Sequence, residues 1–153
     1  MLQVIVTSEL SAEPSQVLAR IATLEWVNGE LRPWLTMTVP ERWRGRSLFE
    51  APVGEPLLRS WLLLGGIVPI DFDDIMLESS DPTSGFQESS TMLSMKVWRH
   101  ERRVLGTSTG GSRVIDRLEL VPRIPGTGWL LERVVRQLFE HRHRRLRRAF
   151  GSA

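Results

Sequence analysis

The chain has 153 residues, 41% hydrophobic and 25% charged, a balance that fits one globular domain over 1–153 and excludes a disordered chain. It has no cysteine, which excludes disulfides, thiolate metal sites and cysteine nucleophiles. The net charge is only +2 although the pI is about 10.3, because without Tyr or Cys and with Lys96 as the one lysine almost nothing titrates between His and Arg.

Gln3 to Leu10 is rich in β-branched residues and predicts a first strand. Ser11-Ala12-Glu13-Pro14 predicts a helix start with Ser11 as cap, and Val17, Leu18, Ile21 and Ala22 follow at helical spacing. That helix stops before Asn28-Gly29, and a second short helix or turn runs from Asn28 to Pro33. Trp34 to Val39 reads as a strand, and Pro40 to Pro56, with its prolines, glycines and charges, as a loop or irregular edge. Strands follow over Leu57–Leu64 and Ile70–Ser79, then a turn at Asp81-Pro82-Thr83-Ser84-Gly85. Two more strands, Phe86–Met95 and Val97–Leu105, lead to a glycine hairpin at Gly106–Gly111 and a last strand, Arg113–Val121. Trp129 to Phe150 is the one long helix, with Leu131, Val134, Val135, Leu138 and Phe139 as its apolar stripe. The stripe weakens where His141-Arg142-His143-Arg144-Arg145 takes over.

One strand, two short helices, about six antiparallel strands and a long terminal helix make an α+β architecture. The helix must bury its apolar face against the sheet, and a curved antiparallel sheet wrapped around it leaves a cavity unless large side chains fill it. The longest apolar run, from Trp61 to Ile70, falls short of the roughly 20 residues of a membrane span. The first residues lack the basic start and apolar run of a signal peptide, so a cytoplasmic protein is expected.

This order of elements resembles the helix-grip fold of the START-like (SRPBCC) superfamily, which includes polyketide cyclases/dehydrases, lipid-transfer domains and pollen-allergen relatives. Three segments carry the resemblance: Ser8–Val17, where a first strand runs into a helix; Trp98-Arg99-His100-Glu101-Arg102, similar to the aromatic-x-His strand of cyclase-like members; and Gly110–Leu118, similar to their last Gly-Gly hairpin. The resemblance spans nearly the whole chain. It implies a hydrophobic small molecule or lipid bound between sheet and helix, and no single reaction, since the superfamily includes non-catalytic carriers.

His100 and Asp116 are the strongest polar candidates. Alternation puts Trp98, His100 and Arg102 on one face, and Val114, Asp116, Leu118 and Leu120 on one face of the next strand. The glycine hairpin makes the two strands neighbours, so His100 and Asp116 come close. A carboxylate beside an imidazole suits general acid/base work, and equally an internal bond satisfying two half-buried groups. The expected ligand-binding set is Trp61, Met76, Met92, Trp98, His100, Arg102, Asp116, Leu118, Leu131, Val135 and Phe139.

Asp71, Asp73 and Asp74 lack the offsets of a calcium loop and read as a charged strand edge. His141 and His143 point to different sides of the helix, so no metal is expected there, and no cofactor elsewhere. Neither a nucleophile elbow nor a phosphate loop is present, which disfavours serine hydrolases and nucleotide enzymes. Residues 132–153 hold seven Arg against two Glu, whereas 1–131 hold 13 Lys+Arg against 16 Asp+Glu. This basic tail reads first as a solvated helix end favoured by the macrodipole. Contact with an acidic membrane surface comes second, and nucleic acid is disfavoured for want of aromatic platforms. Three functions follow in order: a carrier or sensor of a hydrophobic ligand, a cyclase- or dehydratase-like enzyme using His100 as acid/base, and an interaction module docking through the basic helix end.

Overall fold

The computed structural model of the chain describes all residues, 1–153. The β-branched start forms β1 (Leu2–Leu10), and two short helices follow, α1 (Pro14–Ile21) and α2 (Leu24–Leu31). Next come β2 (Leu35–Met37), two 3₁₀ turns, β3 (Pro56–Leu64), β4 (Val68–Asp81), β5 (Gly85–Met92), β6 (Met95–Gly106), β7 (Ser112–Pro122) and the long α3 (Gly128–Phe150). The strands form one antiparallel sheet in the order β1-β7-β6-β5-β4-β3-β2, with only β1 and β2 at its edges. The sheet curls around α3, and α1 and α2 close one side: the α+β helix-grip arrangement that the sequence predicts.

The helices near the N-terminus differ from expectation. Ser11 does not cap α1; its Oγ donates to the Ser152 carbonyl at 2.9 Å, and Glu13 is the N-cap without a side-chain bond. The second helix starts earlier than Asn28, because Thr23 caps it: Thr23 Oγ1 accepts from the Trp26 amide at 3.1 Å. Asn28 therefore lies inside α2, not in a turn. Its amide clamps β2, Nδ2 donating to the Met37 carbonyl at 2.9 Å and Oδ1 accepting from the Met37 amide at 2.6 Å.

The interior is layered along the long strands. Val4, Trp98, Leu118, Leu120, Val135 and Phe139 pack with Met92 and Met95 in one apolar layer. Leu10, Val17, Leu18, Ile21, Val104, Val114, Leu146 and Phe150 form another at the far end. Between them on β6 lie His100 and Arg102, on β7 Asp116, on α3 Arg142 and His143, and on β1 Ser8, all buried. The basic stretch of α3 thus continues the buried stripe: Phe139, Arg142, His143, Leu146 and Phe150 keep the spacing of one helical face. A third apolar group joins α2 to β3 and β4 through Leu24, Val27, Leu31, Leu57, Ile75 and Leu77.

Candidate ligand-binding site

A cavity of about 310 Å³ opens between the sheet and α3. Of the 25 residues lining it 19 are hydrophobic, so an apolar molecule would be its natural content. Its walls come from α2 (Val27, Leu31), β4 (Ile75, Leu77), β5 (Phe86, Met92), β6 (Met95, Trp98) and α3 (Leu131, Val135, Leu138, Phe139). Ile70 and Val134 also line it yet are each about half exposed, at 48% and 52%, which places its mouth between the start of β4 and the N-terminal half of α3.

The layer of buried polar residues forms its inner end, where His100 and Arg142 reach the cavity wall. Arg102 is completely buried and lies between two carboxylates. Its Nε and Nη2 donate to Asp116 at 2.8 and 2.7 Å, and its Nη1 and Nη2 to Glu30 at 2.8 and 2.9 Å. Arg142 Nε donates to Glu30 Oε1 at 2.9 Å, and the Trp26 indole N–H also donates to Glu30. Two arginines thus face two carboxylates, and their charges balance one another.

Both buried imidazoles converge on Asp116: His100 Nε2 at 2.6 Å and His143 Nε2 at 2.7 Å. An ionised carboxylate only accepts, so each histidine donates to it through Nε2. His143 Nδ1 then accepts from Ser8 Oγ at 2.7 Å, while that hydroxyl itself accepts from Arg147 at 2.7 Å. His100 makes no second hydrogen bond through Nδ1, which leaves that ring nitrogen unengaged on a residue of the cavity wall.

Burial alone would raise the pKa of Asp116, but the Arg102 charge, then His100, and their hydrogen bonds hold it well below the usual carboxylate range. Glu30 is likewise pushed up by burial and brought net below its ordinary value by Arg102 and Arg142. Burial pulls Arg102 down, and Asp116 and Glu30 more than reverse this, so it stays cationic.

A second polar wall lies on β4 and β5. Asp71 and Asp73 share the inward face of β4 with Ile75 and Leu77, and both line the cavity with Glu88 and Ser94. β4 is an interior strand, so these carboxylates do not guard an edge as the sequence suggested. Asp71 accepts from the Phe72 amide at 2.8 Å, from the Ser94 amide at 3.2 Å and from Ser94 Oγ. Ser90 Oγ donates to Glu88 Oε2 at 2.6 Å. Asp73 Oδ1 is buried without a hydrogen-bond partner. Burial raises the Asp73 pKa well above the ordinary value, and Glu88 and Asp71 beside it raise it further. No group of three or more His, Asp or Glu is placed so as to hold a metal ion.

Of the residues singled out from the sequence, Met92, Trp98, His100, Leu131, Val135 and Phe139 line the cavity. Arg102, Asp116 and Leu118 lie behind its wall, with no exposed surface at all. Trp61 and Met76 are outside it. Inward parity on β4 belongs to Asp71, Asp73, Ile75 and Leu77, which puts Met76 and Phe72 on the outer face; Trp61 packs edge-on against Phe72 there, at 5.4 Å between ring centres. Glu30 and Glu88 have no place in the sequence reading, which takes Arg142 and His143 as part of a solvated helix end and Asp73 as a charged strand edge. Arg142 and His143 could have been found by extending the α3 stripe past Phe139, and Asp73 by its two-residue spacing from Ile75 and Leu77.

The basic helix end is largely engaged. Beyond Arg142 and Arg147, Arg145 Nε donates to the Gly29 carbonyl at 3.2 Å, and the His141 ring bonds the Arg32 carbonyl at 2.7 Å. After α3, Ser152 bridges to Leu10 at the end of β1. No helix is long and apolar enough to cross a membrane.

A curled antiparallel sheet gripping a terminal helix over an internal cavity is the START-like fold, and solved structures agree. CV1439 from Chromobacterium violaceum is similar over 99% of both chains, with a TM-score of 0.73 and 14% identity. A START superfamily protein from Mycobacterium smegmatis is similar over 97% of this chain and 96% of its own, with a TM-score of 0.69 and 10% identity. Ara h 8.0201 covers 93% of this chain with 95% of its own, with a TM-score of 0.59 and 7% identity. Within that fold, the chain belongs to the family of DUF8410, a domain of unknown function, whose profile matches residues 8–150. No curated protein matches the sequence.

Proposed function

We propose that the protein binds a hydrophobic small molecule or lipid in the cavity between sheet and α3, as a carrier or sensor. The observation that carries this reading is the cavity itself: about 310 Å³, lined mainly by Leu, Val, Ile, Met and aromatic side chains, with a mouth at Ile70 and Val134. Burial of ligand carbon drives binding, and the few polar groups on the wall fix orientation. The START-like proteins of similar shape support the reading through their fold.

The test is displacement of a polarity-sensitive dye, together with native mass spectrometry of the purified protein. The expected result is dye uptake, competition by lipids or aromatic polyketide-like molecules, and roughly tenfold weaker dye binding in Val135→Trp, the equivalent of about 1.4 kcal/mol. A folded protein that takes up no dye and carries no ligand would overturn it. His100 favours a second reading, acid/base catalysis of a cyclase or dehydratase type, because its Nδ1 is unengaged while Asp116 orients the ring. The same ligand separates the two readings: turnover lost in His100→Ala, with dye binding kept, would select the enzyme.

A further inference from the structure

We propose that the cavity selects ligands that carry a protonated amine on their apolar skeleton, with the ammonium held by Asp73 together with Glu88 and Asp71. This deepens the ligand-binding reading above and rests on it.

The argument begins with charge. Three carboxyl groups, Asp71, Asp73 and Glu88, line one side of the cavity. Arg142 is the only Lys or Arg among the lining residues, and Glu30 already accepts from it. The inner layer is therefore balanced within itself, and the β4–β5 wall has no cation of its own. Arg59, on the neighbouring β3, is turned outward to Asp74, bonded at 2.7 and 3.0 Å.

The second observation is an orphaned acceptor. Asp73 is only 5% exposed, and its Oδ1 makes no hydrogen bond, while Glu88 and Ser90 stand beside its carboxyl group. Buried polar atoms are almost always partnered, and a lone buried carboxylate is costly. The neighbours do not remedy this. Ser90 Oγ donates to Glu88, Ser94 Oγ donates to Asp71, and Ser60, paired with Asp73 across β3–β4, donates to the Thr38 carbonyl at 2.7 Å. Ser90 thus stands between Glu88 and Asp73, the other two hydroxyls donate elsewhere, and none of the three brings a charge to the wall.

An ammonium group meets both deficits. It brings the missing charge and three donors, enough for Asp73 Oδ1 and for the free lone pairs of Glu88 or Asp71. On binding, the Asp73 carboxyl gives up its proton to solvent, so the carboxylate and the ammonium pair. An alcohol supplies one donor and no charge. A fatty carboxylate meets three carboxyl groups and is excluded. Metal chemistry is not an alternative on this wall, since the groups are not disposed as ligands.

The groups facing Asp73 are Asp71 on its own strand, Glu88 and Ser90 on β5, Ser60 on β3, and His100 and Arg142 among the other cavity-lining residues. Of these only Glu88 and Asp71 add negative charge. Amine affinity therefore rises with pH as Asp73 loses its proton, and alcohol affinity does not.

Octylamine, 1-octanol, octanoate and 2-nonanone are suitable probes, each competing with a neutral dye for the full chain and for Asp73→Asn. The expected result is displacement by octylamine at roughly one tenth the concentration of 1-octanol or less, as a charge-assisted hydrogen bond would give, with octanoate weakest. In Asp73→Asn the dye still binds and the amine preference disappears; Glu88→Gln, which keeps Asp73, reduces it and serves if the first variant does not fold. Equal displacement by amine and alcohol, with normal dye binding, overturns the proposal and leaves the cavity reading intact. A preference for the ketone overturns it in favour of Asp73 as a neutral hydrogen-bond donor. Failure of the dye and every probe to bind removes the cavity reading, and this proposal with it.

Discussion

At the scale of single residues, the determining fact is that Arg102 has no exposed surface and still makes four hydrogen bonds, two to Asp116 and two to Glu30. A guanidinium in that position is stable only while both partners are ionised, because removing one leaves charge uncompensated in a dry interior. Asp116→Asn keeps the shape of the side chain, removes its charge, and breaks the acceptor role toward His100 and His143. We expect a loss of about 3–5 kcal/mol in denaturant unfolding, of the size seen when one partner of a buried pair is removed. A loss below 1 kcal/mol would show that the network adds little to stability. Half of this layer is legible in the sequence. His100, Arg102 and Asp116 lie on two strands joined by a short glycine turn, so a two-residue period and a count across the hairpin bring them together. Glu30, Arg142 and His143 come from α2 and α3, far away in the chain. Nothing in the local pattern says that a glutamate on a short helix meets an arginine 72 residues later, and only the closing of the helices over the sheet makes the contact.

At the scale of elements, the number and order of strands are legible because glycines and prolines punctuate the chain, whereas the inward face of β4 is not. The sheet carries register shifts between Leu62 and Leu63 on β3 and between Leu77 and Ser79 on β4, and each irregularity resets which side chains point inward. With polar and apolar residues on both faces, hydrophobicity favours Met76 as a cavity residue, whereas the inward face holds Asp71 and Asp73 with Ile75 and Leu77. The punctuation can be tested where it is tightest. Gly85 opens β5 with φ at +138°, and a Cβ built there would lie 1.9 Å from the Arg102 carbonyl oxygen. Gly85→Ala must therefore push β5 away from β6 beside the buried arginine. It should cost about 3 kcal/mol or more, combining a disfavoured backbone with a steric clash in the ladder. Gly110→Ala is the control: its φ is +85° but nothing lies within 4 Å of the new methyl, so only the backbone cost of about 1–2 kcal/mol applies. Equal losses in the two variants would refute the close approach of Gly85 to β6.

At the scale of the whole molecule, the two polar walls respond to pH in opposite senses, because one is balanced and the other is not. Asp116 and Glu30 have folded pKa values below their unfolded ones, so their contribution is present above the usual carboxylate range and is lost as pH falls through the folded values. Asp73 has a folded pKa well above its unfolded one. In the window between those two values the folded protein holds a proton that the unfolded chain has released. Stability due to Asp73 is therefore full below the unfolded pKa and declines as pH rises toward the folded one. The ligand-free protein should be most stable in mildly acidic solution, losing stability in strong acid through the arginine-bound carboxylates and toward neutrality through Asp73. Asp73→Asn separates the two limbs, since an amide at the same place has no proton to lose. Urea midpoints measured from pH 3 to pH 8, on the order of half a unit apart, should show the variant gaining on the wild type as pH rises, while both fall together in acid. The gain belongs to the unpaired carboxyl on the cavity wall and not to packing, because Asn fills nearly the same volume. Curves that run parallel across the whole range would mean that Asp73 titrates alike in the folded and unfolded chain, and that the cavity wall carries no unmet charge.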